Sequence, residues 1–335
     1  MSNNYLTTPN APPIPSLRFR HVRGEIDFPG MVAAILSSTE ADDIEEAVTV
    51  EGMARAFQHM TNCDPYQDIL LAEVDGEIIG YTRGWWMDEP QGRIYEFSRF
   101  LAPAWRHKGI GSVTLDWIEN HLRAMATTHP PEIGKFFRRA GVSQRETGTI
   151  ALLERAGYKP IRYFHKMVRP SLDDIQDFPL LEELEVRPAQ PEHYRAIFFS
   201  GEEGIEDEWG NSKHTEESYQ QWLSDPHFQP ELWQIAWDVA TGKSVGHVLT
   251  FIDHEENEKY NRKRGYTEGI GVDHTWRRRG VARALISLSL RAQKAAGMTE
   301  SALAADVDSV NNVTQLYESC GFQTVSTDAV YQKAF

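Results

Sequence analysis

Cysteine is nearly absent: the 335 residues hold two, Cys63 and Cys320, one in each half. Two cysteines so placed form neither a disulfide framework nor a metal-ligand spacing, so both are expected to be reduced and structural, and no metal is expected. Long apolar runs are missing as well. No stretch reaches the roughly 18 residues that a membrane span requires, and the start Met1-Ser2-Asn3-Asn4 lacks the basic and apolar regions of a signal peptide. A soluble cytoplasmic protein is therefore the expectation. Positive charge is in the minority, with 34 Lys and Arg against 49 Asp and Glu and a net charge of −15, which argues against nucleic acid or a membrane surface as a partner. Neither a phosphate loop with Gly-Lys-Ser/Thr nor the three-glycine dinucleotide turn occurs at the chain's basic turns.

What is present is a repeated basic turn. Trp105-Arg106-His107-Lys108-Gly109-Ile110-Gly111 follows the apolar strand Phe97 to Leu101 and precedes Val113, Trp117, Ile118, His121, Leu122 and Met125 at helical spacing. Half a chain later, Trp276-Arg277-Arg278-Arg279-Gly280-Val281-Ala282 follows Gly269-Ile270-Gly271-Val272 and leads into a second helical pattern. The small residues bring an anion close to the main chain, where free N–H groups and the positive end of a helix dipole hold it. Local basic charge on an acidic chain suits a small phosphorylated ligand better than a polymer.

The length suits two domains of about 150 residues, and the order of elements repeats to match. Residues 1–15, with Pro12, Pro13 and Pro15, read as a flexible lead-in. The first domain spans 16–170. It opens on Leu17 to Arg20, continues through helices from about 29 to 60 and a hairpin turned at Asp75-Gly76, and closes on a hairpin through Ile161 to Met167. The acidic stretch 171–183 reads as a linker. The second domain, 184–335, repeats the series from Leu184 to Arg187, with a hairpin around Thr241-Gly242, a strand over Thr267 to Val272 and a closing hairpin over Phe322 to Phe335.

These residues resemble the GCN5-related N-acetyltransferase (GNAT) family, whose hallmark is Arg/Gln-x-x-Gly-x-Gly/Ala at a strand-to-helix junction. Here that is Arg106-x-x-Gly109-x-Gly111 and Arg277-x-x-Gly280-x-Ala282, joined in the second half by Leu316-Tyr317 and Gly321-Phe322, similar to the family's Leu-Tyr-x-x-x-Gly-Phe. The resemblance covers nearly the whole chain. Tandem copies with Asp207 to Gly210 before the second hairpin look most like mycothiol synthase and its relatives. The resemblance implies two α/β domains, each a mixed, mostly antiparallel sheet flanked by helices, packed as a pseudo-dimer in a monomer or a homodimer.

It also implies roles. Acetyl-coenzyme A is the expected co-substrate, with its pyrophosphate on Arg277, Arg278, Arg279, Gly280, Val281 and Ala282, and in the first half on Arg106, His107, Lys108, Gly109, Ile110 and Gly111. Its thioester arm lies beside Ile270, Gly271 and Val272, or Phe100 and Leu101. Tyr317 is the expected acid for the departing thiolate, the alternative being a ring packed on a short helix. Aligning Gly157 with Gly321 puts Leu153 opposite Tyr317, so the first domain is expected to lack that acid. Glu268, on the same strand face as Ile270 and Val272 by alternation, is the expected base, the alternative being an ion pair with Arg262, Lys263 or Arg264. Glu96 falls one position out of register with it. Asp207 and Trp209, among many carboxylates, are expected to receive the acceptor, a primary amine of a small molecule. A protein amino terminus, an aminoglycoside-type acceptor, or a non-catalytic acyl-coenzyme A sensor are the alternatives.

Overall fold

The computed structural model describes residues 5–89, 92–130, 134–204, 215–309 and 311–335. The chain divides into two compact units, one of residues 1–161 and 329–335, the other of residues 162–328. This differs from a division at 171–183 in two stretches: 162–170 lie in unit 2, and the last seven residues lie in unit 1.

Unit 1 runs β1 (Tyr5–Leu6), β2 (Arg18–Arg20), α1 (Phe28–Ala41), α2 (Val50–Gln58), β3 (Ile69–Val74), β4 (Glu77–Glu89), β5 (Gly92–Leu101), α3 (Ile110–Ala126), β6 (Lys135–Ser143), α4 (Thr147–Arg155) and the start of β7 (Lys159–Arg169). The first six strands lie side by side in chain order, antiparallel except for the parallel pair β5 and β6. The turn at Asp75-Gly76 has φ of 51° and 85°, the left-handed pair that a two-residue hairpin needs. Residues 5–15 are not a loose lead-in. Tyr5 pairs opposite Arg20, Thr8 is buried, and Pro12 lies against Gly109.

Unit 2 runs β8 (Leu184–Arg187), α5 (Pro191–Gly204), α6 (Glu216–Leu223), β9 (Gln234–Asp238), β10 (Ser244–Val248), α7 (His254–Lys259), β11 (Arg264–Tyr266), β12 (Gly271–Val272), α8 (Val281–Ala295), β13 (Glu300–Asp306), α9 (Val313–Ser319) and the first half of β14 (Gln323–Ala334), whose end from Ala329 belongs to unit 1. One sheet is antiparallel in the order β12, β10, β9, β8. In the other, β13 stands between β7 (antiparallel) and β11 (parallel).

The two closing segments are single strands, not hairpins. Past Pro160 neither segment contains a glycine or proline to turn the chain, so pairing continues unbroken. Residues 171–183 are not a free linker either: Leu172 is 2% exposed within the core of unit 2, and Ser287 donates to the Gln176 carbonyl at 2.7 Å.

Each unit packs one long helix on its sheet. In α3, Leu115, Ile118, Leu122 and Ala126 meet Tyr95, Phe97, Phe137 and Tyr331. In α8, Val281, Leu285, Ile286 and Leu290 meet Val245, Val248 and Leu303. Each such aliphatic side chain contributes roughly 1.5–3 kcal/mol by leaving water. No helix among the described residues is long and apolar enough to cross a membrane.

Candidate active site

Two loops of the same shape feed α3 and α8. Each begins with a short 3-10 turn, Pro103–Trp105 or His274–Trp276. An extended arginine follows, Arg106 (φ −66°, ψ 157°) or Arg277 (φ −65°, ψ 158°). His107 and Arg278 then take φ of 59° and 60°, and Gly109 and Gly280 take 87° and 88°. Left-handed residues in this rhythm turn successive N–H groups into one concavity, an anion nest. Neither helix has a side-chain cap, so the first-turn N–H groups of α3 and α8 are not claimed by a capping residue. Glycine is required at 109 and 280, where any β-carbon is strained by the dihedral, although the space at Gly280 is open.

The leading arginines do a different job from the anion contact expected of them. Arg106 Nε donates to the Leu101 carbonyl at 3.3 Å, while its two terminal nitrogens bind Asp42 at 2.8 Å and Ser38 at 2.8 and 3.0 Å. Arg277 Nε donates to the Val272 carbonyl at 3.0 Å. Both brace the loop against the strand before it. Arg279 pairs with Glu183 at 2.8 Å and lies over Trp276, Lys108 lies over Trp105, and Arg278 is exposed at the rim. Ile110 and Val281 turn their side chains into the cores, leaving only their backbone at the nest, beside that of Gly111 and Ala282.

In unit 2 the strand expected over Thr267 to Val272 is broken. β11 follows β13 until Thr267 N–H donates to the Ala302 carbonyl at 2.9 Å. The chain then changes partner, and Gly271 and Val272 pair with His247 and Gly246 of β10. Gly269, at φ 54°, makes the break. The next main-chain donor along β13, Ala304 N–H, is met by Glu268 Oε1 at 3.0 Å. The carboxyl of Glu268 thus stands in the mouth of the split between the two sheets.

Gly269 also changes the faces. Thr267 Oγ1 bonds Ser301 at 2.9 Å and receives Gln293 Nε2 at 2.8 Å, on the α8 side. Ile270 and Val272 pack with Val281 and Leu285 on that side too. Glu268 faces the other way, so the expectation that it shares a face with Ile270 and Val272 fails: the left-handed residue resets the alternation. Arg262 pairs with Glu256, and Arg264 with Glu300; among the described residues no cation pairs with Glu268. Burial pushes its carboxyl up to about 7, against the pull of the Ala304 N–H.

Sequence reasoning missed His247. It lies opposite Gly271, with its ring 2.9 Å from where a β-carbon on Gly271 would be, and alternation from Val272 puts it on the Glu268 face. Burial alone pushes this imidazole down to about 4, so it is neutral. The signal was available: a polar residue at alternating spacing beside a glycine-rich strand.

Tyr317 lies on α9 in the core cluster, 7% exposed, with its ring edge-on to Phe322 at 6.4 Å. Leu153, its counterpart, is 1% exposed in the core of unit 1. Unit 1 keeps β5 in unbroken register with β4 through Phe100 and Leu101, and a cavity of about 410 Å³ opens at its nest, lined by Arg99, Leu101, Arg106, His107, Gly109 and Gly111. Arg99 was also missed. Its guanidinium lies 3.0 Å from the β-carbon position of Gly111, and burial, then Arg139, pushes it below its ordinary value. Asp207 and Trp209 lie outside the described residues. Among the described residues no His, Cys, Asp and Glu gather as a metal site.

The family model described as "Acetyltransferase (GNAT) family" matches residues 35–158 and 192–322. No curated protein matches the sequence. Among solved structures, the GCN5-related N-acetyltransferase from Sphaerobacter thermophilus is 22% identical, with 98% of this chain and 97% of that one covered and a TM-score of 0.78. The GCN5-related glucosamine N-acetyltransferase region of a fungal multi-domain GH3 β-N-acetylglucosaminidase is 14% identical, covering 96% of this chain and 38% of that one, at a TM-score of 0.72. A tandem GNAT protein from the clavulanic acid biosynthesis pathway is 14% identical, covering 95% and 98%, at 0.66. At these identities the likeness is one of fold.

Proposed function

The chain belongs to the GNAT acetyltransferase family, and from that premise we propose that unit 2 moves an acetyl group from acetyl-coenzyme A to a primary amine of a small molecule. The amine nitrogen attacks the thioester carbonyl directly, the C–S bond breaks, and no covalent enzyme intermediate forms. Glu268 takes the proton from the ammonium, and Tyr317 returns one to the departing thiolate. The backbone of Ile270, Gly271 and Val272 flanks the thioester, and the nest from Arg278 to Ala282 holds the pyrophosphate.

The observation that carries this reading is Glu268. A half-buried carboxyl at the split, held by one backbone donor and brought to about 7, changes protonation where a general base is most effective. Leu153 in place of a tyrosine supports assigning unit 1 a structural or cofactor-holding part. The likeness to mycothiol synthase rests on Asp207 to Gly210, outside the described residues. The glucosamine N-acetyltransferase region of the fungal neighbour makes glucosamine the first amine to try.

The test pairs Gly280→Glu with Gly109→Glu, each placing a carboxylate in one nest, and follows thiol release from acetyl-coenzyme A over an amine panel that includes glucosamine. Turnover is expected to vanish in Gly280→Glu and to survive in Gly109→Glu. The reverse pattern places catalysis in unit 1.

A further inference from the structure

Unit 1 keeps the shape of the loop in unit 2 but changes the wall beside it. The two loops match residue by residue, because Arg106 Nε and Arg277 Nε each donate to the carbonyl five residues back, that of Leu101 or Val272. Arg99 then corresponds to Ile270, and Gly111 to Ala282. Ile270 packs on the core of unit 2 and offers an apolar wall to the uncharged arm of acetyl-coenzyme A. In unit 1 a guanidinium stands in that place, with Nη1 of Arg99 3.0 Å from where a β-carbon on Gly111 would be. Glycine at 111 makes the room, since the methyl of an alanine there, as at 282, would press on the guanidinium.

Arg99 shares its strand face with Phe97, which packs against α3, and it lines the cavity of about 410 Å³ together with Leu101, His107, Leu152 and Arg155. Among the described residues no carboxylate pairs with it. Asp42, the acid in the cavity wall, is closed on Arg106. Glu146 accepts from the Ser143 N–H at 3.0 Å and acts on Arg99 without a bond to it. Burial and then Arg139 bring Arg99 down to about 10, with Glu146 opposing them and Arg106 adding to the push. Acetyl-coenzyme A does not fit this arrangement. Its arm, running from the nest to the strand at Phe100 and Leu101, would pass the guanidinium with amide and thioester groups only and leave a buried positive charge without a counter-ion.

We infer that the cavity of unit 1 does not hold acetyl-coenzyme A but binds a compact phosphate monoester, with its phosphate in the nest and against Arg99. Backbone N–H groups and a guanidinium fork together match the several oxygens of one phosphate dianion. The carbon body fills the rest of the cavity, where the hydroxyls of Ser112 and Thr149 suit a hydroxylated compound such as a sugar phosphate. A cavity of about 410 Å³ lies near the lower end of the roughly 300–1,000 Å³ of ligand pockets, which favours a small occupant. The inference concerns unit 1 alone and holds whichever residues act as acid and base in unit 2.

The test is calorimetry on the full chain carrying Gly280→Glu, which closes the nest of unit 2, with inorganic phosphate, glycerol 3-phosphate, glucose 6-phosphate and acetyl-coenzyme A as probes. At least one ester is expected to bind saturably, more tightly than inorganic phosphate and at least tenfold more tightly than acetyl-coenzyme A, as a site left with an unmet buried charge requires. Adding Arg99→Ile is expected to weaken the ester at least tenfold. The parent chain is expected to take a single acetyl-coenzyme A. Binding by neither ester, inorganic phosphate or acetyl-coenzyme A bound as tightly as the better ester, or two acetyl-coenzyme A molecules on one parent chain overturns the inference without appeal to Arg99. So does an ester affinity that survives Arg99→Ile. A parent that binds the ester but no acetyl-coenzyme A sinks the function proposed for unit 2 and leaves this inference standing.

Discussion

Glu268→Gln separates chemistry from folding because the amide keeps the shape and an oxygen for the Ala304 N–H while losing the proton site. In the folded chain the carboxyl titrates near 7, above its ordinary 4.5, so between those values the folded state binds more protons than the unfolded one. Stability therefore falls as pH rises from about 4.5 to 7 and stays lowered above that, by at most about 3 kcal/mol. Glutamine carries no such cost, and Glu268→Gln is expected to melt no lower than the parent at pH 8, and higher if the full effect is present. Activity is expected to move the other way. Loss of a general base typically costs about 10²- to 10⁴-fold, and the rise of kcat/KM through pH 7 expected of the parent should flatten in the variant. The assays are scanning calorimetry at pH 5 and 8, and thiol release from acetyl-coenzyme A across the same range. A variant that melts markedly lower at pH 8, or one that keeps the parent's pH profile, refutes the assignment of Glu268 as base.

Tyr317→Phe leaves the buried ring in place, so calorimetry should show acetyl-coenzyme A affinity within about twofold of the parent while kcat falls by roughly 10²-fold or more; unchanged turnover means the hydroxyl is not the acid. His247→Leu should leave the melting temperature nearly unchanged, because among the described residues nothing hydrogen-bonds the neutral ring, whereas KM for the amine rises if that face receives the acceptor; steady-state kinetics decide. Removal of residues 329–335 takes Tyr331 from the core, the Phe335 ring from its 4.5 Å stack on Phe137, and Lys333 from Glu119. Unit 1 should lose several kcal/mol, at roughly 1.5–3 per buried large side chain, and melt first as a separate calorimetric transition, while an unaltered thermogram contradicts the assignment of that strand to unit 1.

Much of this was legible in the sequence where a local rule determines the outcome. Asp75-Gly76 turns a hairpin because its dihedrals allow little else, and the two Arg-x-x-Gly loops adopt matching dihedrals because glycine at 109 and 280 admits the same left-handed step. What escaped depends on partners distant in sequence. Nothing near Arg106 reveals that Asp42 and Ser38 occupy its guanidinium. Alternation placed Glu268 with Ile270 and Val272 because one left-handed glycine in a strand is invisible to a period-two pattern. The closing segments were read as hairpins, although past Pro160 neither contains a glycine or proline to turn the chain.

The assignment of residues 329–335 to unit 1 has a consequence for biosynthesis. Everything else in that unit leaves the ribosome before unit 2 begins, yet its final strand is made only after the whole of unit 2. The nascent first half must wait with one side of β6 uncovered, a sticky edge exposed for the time that more than a hundred further residues take to be added, roughly 10–30 s at 5–20 residues per second. Chaperone dependence of this protein should therefore be set by translation speed through its second half, and slow codons there should harm the first unit more than the second.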